Sequence, residues 1–205
     1  MRCIGIRNQR QLGVKTMDIH HLLPVKSREE LRVWLQENSR TANSCWVVVS
    51  MKRAPDTLLY LDAVEEALCF GWIDSTKKKI NPTETAQRLS PRRLKSSWTE
   101  LNKARVRRLE KLGLLTDEGR RVLPEMDPDS FQIDSVIEQR LQEDPQGYEN
   151  FLAFPALYQR IRIDTIQSVI HQPELFQSRL DKFISHTRAN QMYGQWHDHG
   201  RLLED

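Results

Sequence analysis

The chain has 205 residues and a mass of 24.1 kDa, with 39% hydrophobic and 29% charged residues. This composition is too apolar for a disordered chain and too polar for a membrane protein, so it predicts a soluble globular fold. The longest apolar run, Cys45–Val49, has the length of a strand and not of a membrane span. Residues 1–15 carry four basic residues and no signal-peptide apolar region, and the three cysteines form no CxxC motif. We therefore expect a cytoplasmic protein with no membrane insertion.

The formal net charge is +3, but the charged residues are distributed unevenly along the chain. Residues 77–121 hold 14 Lys and Arg against 5 Asp and Glu, whereas residues 122–205 hold 7 against 14. Two interpretations stay open. The basic segment could dock on the acidic C-terminal part, or it could present an outward surface to phosphate, nucleic acid or an acidic partner.

The first half of the chain predicts two helices and a small sheet. Residues 1–16 show no helical or strand periodicity, so we predict that they form a flexible leader. Ser27 and Glu30 have the spacing of a capping box, which predicts a helix ending near residue 38. The β-branched run at 46–50 predicts a buried strand, and a second helix runs from 62 to a stop at Gly71. Residues 72–79 and 83–89 then have the pattern of a hairpin.

The segment from 91 to 124 predicts two further helices. Pro91 forces an extended conformation on the residue before it. Ser97 and Glu100 again have capping-box spacing, which predicts a helix from Trp98 to a stop at Gly113. Thr116 is expected to cap a short helix ending at residue 124.

From residue 127 the pattern is mainly helical, because prolines at 145, 155 and 173 stand where helices begin. We predict an α+β fold, with a small antiparallel sheet packed with helices and followed by a mainly helical C-terminal part. The expected organisation is a leader (1–16), an α+β domain (17–126) and a helical region packed on it (127–205).

Residues that could carry catalysis or bind a metal are few. Cys69 has no histidine between residues 22 and 170 to activate it, so we interpret it as a core residue. Glu65, Glu66 and Asp74 could act as acid and base, although spacing alone does not show that they converge. The residues at 197–199, His-Asp-His, lack the ligand arrangement of a zinc site, so neither a metal nor a cofactor is predicted.

The stretch from Arg88 to Arg108 is the most informative for binding. Its arginines precede the predicted helix N-terminus near Trp98, where free N–H groups favour an anion. Arginine offers a bidentate fork to phosphate or carboxylate, and tryptophan offers a face for stacking. The alternative is structural: these arginines could clamp Glu65, Glu66 or Asp74.

Several motifs in this part of the chain resemble one family. They are YLDAVEEALCFGWIDS at 60–75, RLSPRR at 88–93, SSWT at 96–99 and Asn102. Together they resemble the YdeI/OmpD-associated, or bacteriocin-protection, family over roughly residues 27–123, and residues 179–184 look like its C-terminal basic and apolar helix. The resemblance implies bacterial origin and a link to stress or bacteriocin tolerance, without an established reaction.

We therefore expect a cytoplasmic, non-enzymatic stress or bacteriocin-protection protein that binds a small anionic ligand or a protein partner. The expected ligand-binding residues are Trp72, Asp74, Arg88, Arg92, Arg93, Trp98 and Asn102. One alternative is an enzyme acting on a small anionic substrate, with Glu66 or Asp74 as acid or base. Another is nucleic-acid binding through the basic surface at 77–121. We also expect Arg92, Arg93 and the start of the following helix to form one site with residues 72–74.

Overall fold

The computed structural model describes residues 19 and 21–203. It confirms an α+β fold with a helical C-terminal part. The leader predicted at 1–16 lies outside the described residues. The strands and helices are, in chain order, β1 (Leu22–Leu23), α1 (Arg28–Asn38), β2 (Cys45–Ser50), β3 (Leu58–Leu59), α2 (Tyr60–Cys69), β4 (Trp72–Lys79), β5 (Thr85–Pro91), α3 (Glu100–Lys111), α4 (Asp117–Arg121), α5 (Ser135–Gln142), α6 (Pro145–Ala153), α7 (Ala156–Gln167) and α8 (Pro173–Arg188).

The sheet is mixed, whereas the sequence suggested an antiparallel one. Its long strands are antiparallel: β5 lies between β2 and β4. The two-residue strands β1 and β3 both pair with β2 in parallel. Strands this short carry little periodic signal, so their pairing direction is not visible in the sequence.

The predicted hairpin of β4 and β5 is present, and its register sets the start of β4 against the end of β5. Trp72 pairs with Pro91 and Asp74 with Leu89, before an irregularity in β4. Gly71 makes the turn into β4 with φ of +71°, and a Cβ there would lie 2.8 Å from the carbonyl oxygen of Glu118. The start of β4 is thereby held beside the residues that come after β5.

Two hydrophobic clusters support the fold. In the first, alternate residues of β2 face α1 and α2, so Cys45, Val47 and Val49 pack with Leu31 and Leu35. The second cluster is formed by α5 to α8 and the segment after them, and its buried aromatic residues include Phe151, Tyr158, Phe183 and Trp196. None of the helices within residues 21–203 has the length and apolar character needed to cross a bilayer.

The third predicted helix starts later than expected. Thr99, and not Ser97, is its N-cap, with its hydroxyl accepting a hydrogen bond from the backbone N–H of Asn102 at 3.2 Å. Trp98 therefore precedes α3. The carbonyl of Ser97 instead accepts a hydrogen bond from the guanidinium of Arg92 at 2.8 Å, and the hydroxyl of Ser96 contacts the same guanidinium nitrogen.

An ion-pair network lies at the centre of the helical layer. Glu65 and Glu66 on α2 are each 1% exposed. Arg28 of α1 contacts both carboxylates at 2.7 and 2.6 Å, and Arg201 reaches Glu65 at 2.8 Å from the C-terminal segment. Burial opposes the charge of Arg28, but the carboxylates of Glu66 and Glu65 raise its pKa above the ordinary value. Arg32 and Arg108 complete the network.

Replacing Glu66 by Gln should lower the free energy of unfolding by about 3–5 kcal/mol, because it removes the buried carboxylate that faces Arg28 and Arg32. Urea denaturation of the purified variant measures this loss. As a control, Glu110→Gln removes an exposed ion pair with Arg120 and should cost at most about 1 kcal/mol. Equal, small losses in both variants would contradict a structural role for the network.

Candidate functional site

A cavity of about 480 Å³, which we call the hairpin-edge cavity, lies at the edge of the hairpin, where β4 begins and β5 ends. The backbone N–H of Arg92 donates to the carbonyl of Gly71 at 2.9 Å, which fastens the chain after β5 to the turn before β4. The start of α3 closes the other side. The residues that line the cavity are Ile73, Asp74, Ser90, Pro91, Arg92, Arg93, Ser96, Ser97, Thr99 and Asn102.

Arg92 is the central side chain of this cavity. It is only 8% exposed, and its guanidinium carbon lies 3.7 Å from the ring centroid of Trp98. Its Nη1 donates to the carbonyl of Ser97 and to the hydroxyl of Ser96 at 3.2 Å. In the described part of the chain, no carboxylate forms an ion pair with it. Burial lowers the pKa of Arg92, although the nearby charge of Asp74 opposes this effect.

Asp74 supplies the carboxylate of the cavity. Its Oδ2 accepts a hydrogen bond from the hydroxyl of Tyr60 on α2 at 2.7 Å. Burial, followed by the hydrogen bond and the charge of Asp74, raises the pKa of Tyr60 above its ordinary value. The phenol therefore stays protonated and keeps donating, which holds the carboxylate in place.

Asn102 is held by a chain of charged groups behind the cavity. Its Oδ1 accepts from Nη1 of Arg105 at 2.8 Å. Arg105 in turn makes a bidentate pair with Asp198, at 2.6 and 2.9 Å. Burial opposes the charge of Arg105, but the hydrogen bonds and the charge of Asp198 raise its pKa above the ordinary value. Asn102 is thus left with its amide N–H groups to offer to a ligand.

The structure brings together four of the residues predicted for the site, since Asp74, Arg92, Arg93 and Asn102 line one cavity. Trp98 does not line it, but its ring stacks on the guanidinium of Arg92. Trp72 is directed elsewhere. It is 1% exposed, donates its indole N–H to the carbonyl of Ser39 at 3.1 Å and packs edge-on against Trp34. Arg88 pairs with Trp46 in the sheet and does not line the cavity.

The N-terminus of α3 contributes less to anion binding than the sequence suggested. The backbone N–H of Glu100 already donates to the carboxylate of Asp164 at 3.1 Å. Thr99 occupies the N–H of Asn102 as the N-cap. Positive charge in the cavity therefore comes from the arginine side chains and not from the helix terminus.

Tyr60, Arg105 and Asp198 support the site but are not identified from the sequence. Tyr60 precedes Asp74 by 14 residues, and the Arg105–Asp198 pair joins residues 93 positions apart. For Tyr60, the signal in the sequence is that it begins the motif at 60–75. In the sequence, Asp198 stands out only as part of the His-Asp-His triplet.

The remaining candidates for chemistry lie away from the cavity. Cys69 is fully buried, as its core assignment required, and burial raises the pKa of its thiol to about 12. Glu65 and Glu66 are enclosed by arginines in the ion-pair network, which removes Glu66 as an accessible acid or base. Within residues 21–203 no three His, Cys, Asp or Glu side chains are placed to hold a metal ion.

In a Cys3→Ser variant, the native protein should react very slowly with a thiol reagent at pH 8. Cys45 and Cys69 are buried, and a pKa of about 12 leaves roughly one thiolate in ten thousand at that pH. Both should react promptly once guanidinium unfolds the chain, as counted by mass spectrometry. Rapid labelling of the native protein would reverse the assignment of Cys69 to the core.

Two family models match separate parts of the chain. Residues 23–122 match a model described as a domain of unknown function (DUF8412). Residues 130–190 match the model described as bacteriocin-protection, YdeI or OmpD-associated. The chain has no significant match among curated proteins or among solved structures.

The location of the second match differs from the resemblance found in the sequence. The motifs at 60–75 and 88–99 lie within the domain of unknown function, and only the resemblance at 179–184 falls within the family match. The family itself is the one that the sequence suggested. Residues 130–190 therefore form a domain of the YdeI/OmpD-associated, bacteriocin-protection family.

Proposed function

We propose that the hairpin-edge cavity binds a small anionic ligand. The observation that carries this proposal is the buried guanidinium of Arg92, which lacks a carboxylate partner among the described residues. Arg28 and Arg105, by contrast, each meet carboxylates at hydrogen-bond distance. Burying a charge without a carboxylate in direct contact is costly, and an anion in the cavity would supply that contact.

The cavity has features that define the kind of anion. Arg92 is held flat by Trp98 and by two hydrogen bonds, so its orientation is set before a ligand arrives. Arg93 is exposed at the rim and forms no ion pair with the described residues. Asp74 and Asn102 add an acceptor and a donor. This combination suits a phosphate or carboxylate compound that also carries a hydroxyl or amine group.

For the biological role, we propose a cytoplasmic stress or bacteriocin-protection protein that acts by binding and not by catalysis. The family domain at 130–190 supports the link to bacteriocin protection. Cys69 and Glu66, two of the sequence's candidates for catalysis, are buried and do not line the cavity. Localisation in the cytoplasm rests on the sequence alone.

One observation favours a second candidate function, an enzyme acting on a small anionic substrate. Asp74 lies in the same cavity as Arg92 and is oriented by Tyr60, so it could take a proton from a bound substrate. Nucleic-acid binding has less support, because the basic residues of 77–121 point in several directions. Lys77 and Lys78 lie over different aromatic rings, and Lys103 contacts Glu100.

Thermal unfolding in the presence of pyrophosphate, citrate and glucose 6-phosphate tests the proposal, with glucose as the uncharged counterpart of the last. A ligand at about 100 times its Kd adds about 2.7 kcal/mol to the free energy of unfolding. For a chain of this size, the Tm should rise by roughly 5–10 °C. Arg92→Gln should abolish the shift, and Arg93→Gln should reduce it.

Arg140→Gln is the matched control, because it removes one positive charge from a surface ion pair with Glu143 in the C-terminal part. Its ligand-induced shift should equal that of the wild type. The proposal fails if none of the three anions raises the Tm of the wild type. It fails equally if Arg92→Gln and Arg140→Gln reduce the shift to the same extent.

A further inference from the structure

A second cavity, of about 640 Å³, lies between the C-terminal half of α3 and the start of α7. We call it the α3–α7 groove. It shares no lining residue with the hairpin-edge cavity. Its volume is in the range of about 300–1,000 Å³ that is typical of small-molecule sites. The larger apolar side chains of its walls are Val106, Leu123, Met126, Leu157 and Leu202.

The charged residues that line the groove are mostly basic. Five cationic side chains line it against one carboxylate, that of Glu110. The carboxylate is partly occupied, since Glu110 pairs with Arg120 at 2.9 Å. Two of these cations also contact carboxylates outside the lining, since Arg108 meets Glu65 and Arg120 meets Asp117. The groove thus combines apolar walls with a basic rim. The five cations are Arg107, Arg108, Lys111, Arg120 and Arg160.

Positive charge is least compensated where α3 meets α7. Arg107 and Arg160 both approach the carboxylate of Glu100, at 3.8 and 3.5 Å, and Lys103 contacts it at 2.9 Å. Nη2 of Arg107 and Nε of Arg160 both face Oε2 of Glu100, yet none of these three atoms forms a hydrogen bond within the described part of the chain, so two guanidinium groups share one carboxylate oxygen. Burial lowers the pKa of Arg107, and the like charge of Arg160 adds to this effect although Glu100 opposes it.

We propose that the α3–α7 groove binds an amphipathic carboxylate, an aliphatic acid whose chain lies on the leucine and methionine walls and whose head group meets the basic rim. The apolar walls disfavour a compact polar anion, which would leave them in contact with water. The basic rim disfavours a neutral or cationic amphiphile. Guanidinium groups match a carboxylate in geometry as well as in charge. This site is independent of the one proposed for the hairpin-edge cavity.

Calorimetric titration of the full chain with decanoate, below its micelle concentration and at low ionic strength, tests the proposal. One molecule of decanoate should bind, and 1-decanol should bind more weakly. Arg120→Ala should weaken decanoate binding about two- to fivefold, as expected for the loss of a solvent-exposed charge contact. Arg121→Ala is the matched control, because this neighbouring arginine does not line the groove. It should leave the affinity unchanged.

A second pair of variants tests the apolar walls. Leu157→Trp should fill the groove and abolish binding, whereas Leu152→Trp, at an exposed position on α6, should have no effect. Arg92→Gln should also leave decanoate binding unchanged, which separates this site from the hairpin-edge cavity. The proposal is overturned if the wild type does not bind decanoate. It is also overturned if Arg120→Ala and Arg121→Ala have the same affinity, a comparison that stands even if Leu157→Trp fails to fold.

Discussion

Two adjacent buried carboxylates on α2, those of Glu65 and Glu66, constrain the packing of the helices around the sheet. Each would be very unfavourable in the interior without positive partners. Those partners come from three other parts of the chain: Arg28 from α1, Arg108 from α3 and Arg201 from the C-terminal segment. Since a guanidinium must reach within hydrogen-bond distance, the positions of these segments relative to α2 are fixed together. The ion-pair network therefore acts as a geometric constraint on how these segments pack against α2.

This constraint also determines where the hairpin-edge cavity forms. With α2 fixed, Gly71 turns the chain directly into β4, and β5 returns beside it. The hydrogen bond from Arg92 to Gly71 then places the guanidinium at the junction between the sheet and α3. Tyr60 at the start of α2 donates its hydroxyl to the carboxylate of Asp74. The cavity is consequently built from groups on strands and helices, so its polar atoms are positioned before any ligand binds.

Local signals in the sequence predicted much of the fold. Ser27 and Thr116 cap helices as expected, and the prolines at 145, 155 and 173 stand at or immediately before helix starts, because caps and prolines act within one turn. The features that the sequence did not predict depend on contacts between residues far apart in the chain or on competition for the same backbone group. Ser97 has the right spacing for an N-cap, but its carbonyl is bound by Arg92, and Thr99 caps α3 instead. The pairing of Arg105 with Asp198 joins residues 93 positions apart, and no local pattern indicates it. The proximity of Asp74 and Arg92 was predictable from the sequence, because the register of a hairpin depends on residues close together in the chain.

The basic segment at 77–121 shows why net charge alone does not locate a binding site. Several of its arginines neutralise buried carboxylates: Arg108 meets Glu65, and Arg105 meets Asp198. Arg92 is buried to a similar degree, yet stacks on Trp98 without a carboxylate partner in the described part of the chain. A count of charged residues does not distinguish Arg105 and Arg108 from Arg92. They differ in whether a carboxylate lies within 4 Å of the guanidinium. An arginine whose counter-ion is already present stabilises the fold, whereas a buried arginine that lacks one is available to an anion from solution.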